Sequence, residues 1–149
     1  MPEALMLSRY FSLDEMTLSE TAARYGISNK PGPVELANLR RLCTTLDRVR
    51  DLLGHPVIVT SGYRSESLNR AVNGSRTSAH MQGLAADIRC PGFGLPLAVC
   101  RAIAGSGIEF DQVIHEFGSW CHVGLAREDV KSRRQLLTID GRGTAGGLA

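Results

Sequence analysis

At 149 residues the chain has the length of one domain, which buries roughly 70% of its unfolded surface and needs no covalent staples to build a core. Hydrophobic residues at 43% and charged residues at 21% place it among globular proteins. A net charge of +2, with no basic run interleaved with aromatics, excludes a charge-driven partner, so neither nucleic acid nor a membrane surface is expected.

In chain order, Ser12 to Tyr25 reads as one or two short helical turns, with Ser19 and Glu20 as a start signal and Gly26 as a stop. The break Lys30-Pro31-Gly32-Pro33 precedes a long amphipathic helix. Leu36, Leu39, Leu42, Cys43, Leu46, Val49, Leu52 and Leu53 recur on one face, and Gly54 terminates it. The β-branched run Val57 to Thr60 predicts a buried strand. Ser65 to Val72 predicts a short helix ended by Asn73-Gly74, Ala85 to Arg89 a short strand, and Leu95 to Ala104 a helix. Gln112 to Glu116 and Trp120 to Leu125 predict a hairpin. Gly141 to Ala149, rich in Gly and small residues, reads as a flexible tail behind one domain over residues 1–140. Helices and antiparallel strands without a βαβ rhythm predict an α+β fold.

No stretch is long and apolar enough for membrane insertion, and Met1 to Tyr10 lacks the pattern of a signal peptide. Cys43, Cys90, Cys100 and Cys121 are scattered and show no C-x-x-C spacing, so reduced, mostly buried thiols in a protein made in the cytoplasm are expected.

Of the four histidines, His80 stands near Asp87 across the small residues Gly83, Ala85 and Ala86, which permit a tight turn into a strand. One imidazole and one carboxylate suit Zn²⁺, and a second imidazole would complete three ligands with a fourth position open, the arrangement of catalytic zinc. From spacing alone, a loop histidine and a turn-capping aspartate are the favoured reading of the pair.

Three motifs taken together add more: Ser61-Gly62-Tyr63-Arg64-Ser65 with Leu68-Asn69, then Ser78-Ala79-His80-Met81-Gln82-Gly83-Leu84-Ala85-Ala86-Asp87, then Trp120-Cys121-His122. In this order they resemble the zinc D-Ala-D-Ala carboxypeptidase family, peptidoglycan peptidases that share their fold with the hedgehog signalling domain. The resemblance covers about Leu7 to Thr138. It implies a small antiparallel sheet carrying one zinc ion per chain, with helices packed on one side. It implies His80, Asp87 and His122 as the zinc ligands, and Arg64 as the cation that meets the substrate carboxylate or the developing oxyanion. Ser78 and Gln82 are expected to orient neighbouring groups, or simply to form the turn. Trp120 is expected to pack, or to wall the cleft. Some members of the family carry an acid three residues before the last histidine ligand. Here that residue is Ser119, which cannot act as a base, and the nearest acid is Glu116. The branch this chain resembles has Glu at that spacing, which implies Glu116 as the general base.

Hairpin register provides a second route to Glu116. With Phe117, Gly118 and Ser119 as a three-residue loop, Glu116 opposes Trp120 and Ile114 opposes His122, so Glu116 and His122 share a face. With Gly118-Ser119 as a two-residue loop, His115 would neighbour the metal instead. The three-residue register is expected, and alternation then turns Cys121 to the opposite face from His122.

The expected function is zinc-dependent hydrolysis of a peptide bond in peptidoglycan stem peptides, acting at the cell wall or periplasm, with D-Ala-D-Ala carboxypeptidase-like activity first. An L-Ala-D-Glu endopeptidase of a phage or prophage lysin is the alternative within hydrolases. A non-catalytic zinc-containing binding module is the alternative outside them, since a shared fold does not fix function.

Overall fold

The structure, a computed structural model, describes residues 5–149. Residues 1–4, the start of the expected 1–140 domain and of the Met1–Tyr10 segment, lie outside the described residues.

Two short helices open the described chain: α1 (Leu13–Thr17), started by a capping box between Ser12 and Glu15, and α2 (Glu20–Tyr25), capped by Ser19. Gly26 ends α2 in the left-handed conformation, as its position predicts. Helix α3 (Pro33–Leu53) begins with proline in its first turn, where a missing N–H costs nothing, and buries Leu39, Leu42, Cys43, Leu46, Val49 and Leu53 along one stripe. Strand β1 (Ile58–Ser61), helix α4 (Glu66–Ala71), a 3₁₀ helix (Ala79–Gln82) and strand β2 (Ala85–Arg89) follow. Helix α5 (Pro96–Ala104) leads to β3 (Gln112–Glu116), β4 (Trp120–Gly124), β5 (Gln135–Asp140) and β6 (Gly143–Gly146). Among the described residues, no helix is long and apolar enough to cross a membrane.

The six strands form one sheet in the order β1-β2-β4-β3-β5-β6. Every pairing is antiparallel except β3 with β5, which is parallel. The sheet is therefore larger than expected, and mostly rather than wholly antiparallel. Alternation divides its two faces. Ala86, Ile88, Val113, Cys121 and Val123 point into one core with the apolar stripe of α3 and with Val99, Cys100 and Ile103 of α5. The residues between them, Asp87, Ile114, Glu116 and His122, lie on the other face.

Two expectations are corrected. Strand β1 is an edge strand rather than a buried one, and Ile58 at its start is half exposed. Residues 141–149, read as a tail, carry β6, which pairs with β5 from Leu137–Gly146 to Asp140–Gly143. Gly147 and Ala149 continue that contact through hydrogen bonds to Leu136 O and Thr138 Oγ1.

Candidate metal centre

Asp87 and His122 are direct cross-strand partners on β2 and β4, and so share the face that the helices leave open. His80 arrives from above that face on the 3₁₀ helix. Ser78 caps this turn by accepting the His80 N–H at 3.2 Å, and Gly83 ends it at φ +74°. A β-carbon at Gly83 would come within 2.5 Å of Glu35 O, so only glycine fits between this turn and α3. Asn38 of α3 ties the same turn by donating to the Gln82 carbonyl at 2.8 Å.

The result is a convergent group. His122 Nδ1 lies 3.0 Å and His80 Nε2 3.3 Å from the same oxygen, Asp87 Oδ1. All three side chains are buried, and their ligand atoms lie within 4.8 Å of one another, a group that could hold a metal ion. The donor set fits a divalent metal: two imidazole nitrogens and one carboxylate, with the imidazole rings edge to face at 5.1 Å. His80 Nδ1 stands 2.8 Å from Gly62 O. A carbonyl only accepts, so Nδ1 carries a proton and Nε2 is the nitrogen left to ligate, the usual outer support of a metal-bound histidine. Burial pushes the Asp87 carboxyl up, but hydrogen bonds and charge from His122 and His80 outweigh it and hold the group well below the usual carboxylate range.

Two further charged groups face the triad. Glu116 Oε1 lies 3.5 Å from His122 Nδ1. The hairpin has the three-residue register: Glu116 opposes Trp120, Ile114 opposes His122, and His115 opposes Cys121. His115 thus lies on the other face, where its Nδ1 meets Ala149 O at 2.9 Å. Burial raises the Glu116 pKa above the ordinary glutamate value, and the nearby His122 opposes that only in part. A carboxylate with a raised pKa beside a metal-ligand set is matched to moving protons. The buried Trp120 indole N–H pulls weakly in the opposite direction but makes no hydrogen bond of ordinary geometry. Trp120 packs on Phe117, with ring centroids 5.8 Å apart.

Arg64 Nη2 lies 4.0 Å from Asp87 Oδ2. Its other nitrogens are held: Nη1 donates to Asn69 Oδ1 at 3.0 Å and Nε to Ser61 Oγ at 3.3 Å. Asn69, quoted in the sequence only as part of the first motif, therefore aims the guanidinium, and its own amide is fixed by Ser75 O at 2.9 Å. Asn29 went unread in the sequence. It braces the segment that carries Arg64 by donating to Tyr63 O at 2.9 Å and accepting the Ser65 N–H at 2.7 Å. No local signal could have found a contact across 34 to 36 positions.

A cleft of about 600 Å³ opens on the triad, lined there by Arg64, Ser78, His80, Gln82, Glu116 and His122. A second groove leaves from the other side past Arg64, Asp87 and Trp120. His55, adjacent to Pro56, lies away from both.

Among families of known proteins, the model described as Peptidase M15 matches residues 9–124. No curated protein matches the chain.

Proposed function

The chain belongs to the peptidase M15 family, and from that premise we propose that it is a zinc-dependent hydrolase of peptide bonds in the stem peptides of peptidoglycan. The single observation that carries this reading is the convergence of His80 Nε2, Asp87 Oδ1 and His122 Nδ1 at the floor of an open cleft, with Glu116 Oε1 3.5 Å from His122 Nδ1. His80, Asp87 and His122 would hold the ion. A zinc ion supplies there a Lewis acid that polarises a peptide carbonyl and acidifies water.

The rest falls to the side chains. Glu116 takes the proton of the attacking water and returns it to the leaving amine, a task suited to a carboxylate whose pKa burial has raised. Arg64, held in place by Asn69 and Ser61, presents its guanidinium to negative charge on the substrate, either the developing oxyanion or a terminal carboxylate. Ser78 fixes the turn that carries His80, while Gln82 and Trp120 wall the approaches. The open cleft and the accessible edge of Glu116 favour an enzyme over the non-catalytic binding module.

D-Ala-D-Ala carboxypeptidase-like cleavage is the first assignment, because Arg64 stands beside the triad where a terminal carboxylate would arrive. One observation favours the endopeptidase reading, of the kind found in phage lysins that cut L-Ala-D-Glu. Grooves leave the triad on both sides, leaving room for residues beyond both ends of the scissile bond.

The test is a digest of purified peptidoglycan and a free pentapeptide stem, read by mass spectrometry. Wild type is run beside Glu116→Gln and a chelated sample. Loss of the terminal D-Ala by wild type alone is expected, with Glu116→Gln slower by about 10²–10⁴-fold. An internal cut between L-Ala and D-Glu selects the endopeptidase reading with the same residues. No cleavage by the folded, zinc-loaded protein would overturn the assignment.

A further inference from the structure

The cleft on the triad has a far end, formed by the loop that follows β4, where Arg127 and Lys131 line it. That loop is fastened at many points. The Arg41 guanidinium, from α3, donates to the Ala126 carbonyl. Val130 N–H closes a turn on Arg127 O at 2.9 Å, and Ser132 Oγ donates to Glu109 Oε1 at 2.9 Å. Arg133 grips Asp111 through Nε at 3.0 Å and Nη2 at 2.7 Å, and Arg134 donates to the carbonyls of Ile108 and Ala104.

The cations of this loop therefore divide into two kinds. Arg133 and Arg134 are committed to the fold. Arg127 and Lys131 are exposed, face the cleft and, among the described residues, make no ion pair. Of the neighbouring acids, Asp111 is taken by Arg133, Glu128 lines an adjoining cavity that Arg127 also borders, and neither Glu128 nor Asp129 lines the cleft or pairs with Arg127 or Lys131. Arg127 follows His122 by five residues, so their Cα atoms are at most about 17 Å apart, a few residues of extended peptide. Among the described residues, the groove on the other side of the triad has no free cation: Arg64, its one basic residue, is held by Ser61 and Asn69, and Leu18, Val59 and Val72 share the wall with Glu20, Thr21 and Thr60. A peptide lying through the site thus meets two free cations at one end and, at the other, a mixed wall whose apolar part is Leu18, Val59 and Val72.

We propose that Arg127 and Lys131 form a carboxylate-recognising subsite. The preferred substrate is a peptide whose residue at that end of the cleft carries a free carboxylate, while its small apolar residues lie toward Leu18 and Val72. The inference rests on the peptidase reading of the triad and extends it to specificity. In a stem peptide this chemistry has two sources, the α-carboxylate of the D-glutamyl residue and the free carboxylate of a diamino acid. Amidating either removes the charge and leaves the shape nearly unchanged.

The experiment uses the full zinc-loaded chain and four stem peptides: both carboxylates free, each amidated singly, and both amidated. Wild type is compared with the double variant Arg127→Gln/Lys131→Gln. Amidating the carboxylate that is read should raise the wild-type KM by roughly tenfold, with kcat unchanged, and the double variant should show that raised KM on the acidic peptide. On the amidated peptide the two proteins should agree. The variant Arg127→Lys/Lys131→Arg keeps the charge and should restore most of the preference, and the preference should shrink at high salt. Equal KM values for acidic and amidated peptides in wild type would overturn the subsite, as would an equal loss on both in the double variant. Binding of the same peptides to Glu116→Gln separates the two readings. Preference in binding without cleavage by wild type removes the peptidase reading and keeps the subsite, whereas binding without preference removes the subsite.

Discussion

A β-carbon on Gly74 would lie 2.0 Å from Asn69 Oδ1 and 2.7 Å from Arg64 Nη1. Asn69 cannot swing aside at no cost, because its amide is bound to Ser75 O and its side chain is buried. Relief of the clash must therefore break the Asn69–Arg64 hydrogen bond, leaving the guanidinium held only by Ser61 Oγ at Nε. Gly74→Ala is expected to lower kcat/KM by about 10- to 100-fold, as a misaimed charged hydrogen bond would. Zinc content should stay close to wild type, since no ligand is touched, while the melting temperature should fall by a few degrees because the buried Asn69 is displaced. Metal analysis beside steady-state kinetics checks this, and unchanged turnover would show that Arg64 does not need Asn69. The sequence presents Gly74 only as the residue that ends α4, because its second partner, Arg64, becomes a neighbour only once the chain has folded back.

At the scale of elements, the two strands added after β4 differ in what they support. Strand β5 lies against β3, pairing Ile114 with Leu137 and Glu116 with Ile139, and Phe117 N–H donates to Ile139 O at 2.7 Å. It thus holds the strand that presents Glu116. Strand β6 is exposed along its whole length and supports only β5. A proline in each should separate these roles. Leu137→Pro removes a ladder hydrogen bond inside the sheet and leaves its partner on β3 unpaired, so it should cost about 1–3 kcal/mol, along with most of the activity. Thr144→Pro lies in the edge strand at a position opposite Ile139 whose N–H points away from β5, and should cost no more than about 1 kcal/mol with activity kept. Denaturant midpoints and the peptide assay read both, and a collapse caused by Thr144→Pro would make β6 integral to the fold. This difference also bears on what was legible in the sequence. The hairpin was readable to the register, because alternation and a three-residue loop are local rules, and the turn from His80 to Asp87 was readable from its small residues. The apolar run Leu136-Leu137-Thr138-Ile139 carried a strand signal that went unread. Gly143-Thr144-Ala145-Gly146 carried almost none, and becomes a strand because an open edge lies beside it. Strand β1 looked buried by composition, but burial depends on its place in the sheet order, which no local pattern contains.

For the whole molecule, the arrangement sets core and candidate metal centre on opposite faces of one sheet. The core is continuous through α3, α5 and the inner face of β2, β3 and β4 without a contribution from His80, Asp87 or His122. Without metal, the buried Asp87 keeps His122 Nδ1 as a hydrogen-bond partner at 3.0 Å and the Arg64 guanidinium at 4.0 Å as a neighbouring cation, so removing the ion leaves no bare buried charge. The chain should therefore fold without zinc and be stabilised by it through mass action. Free zinc at about 100 times its dissociation constant adds roughly 2.7 kcal/mol, which for a domain of this size raises the melting temperature by roughly 5–10 °C. The four cysteines provide an independent reading of the same state. All are buried and free, and burial pushes the Cys43 thiol up to about 12, so none should react with a thiol reagent at pH 8 until the molecule opens. Chelated protein that melts cooperatively a few degrees lower, with its thiols still protected, would establish that the core carries the fold. Chelated protein with all four thiols reactive at 25 °C would mean that the ion holds the sheet together, and the triad would then be a structural centre before it is anything else.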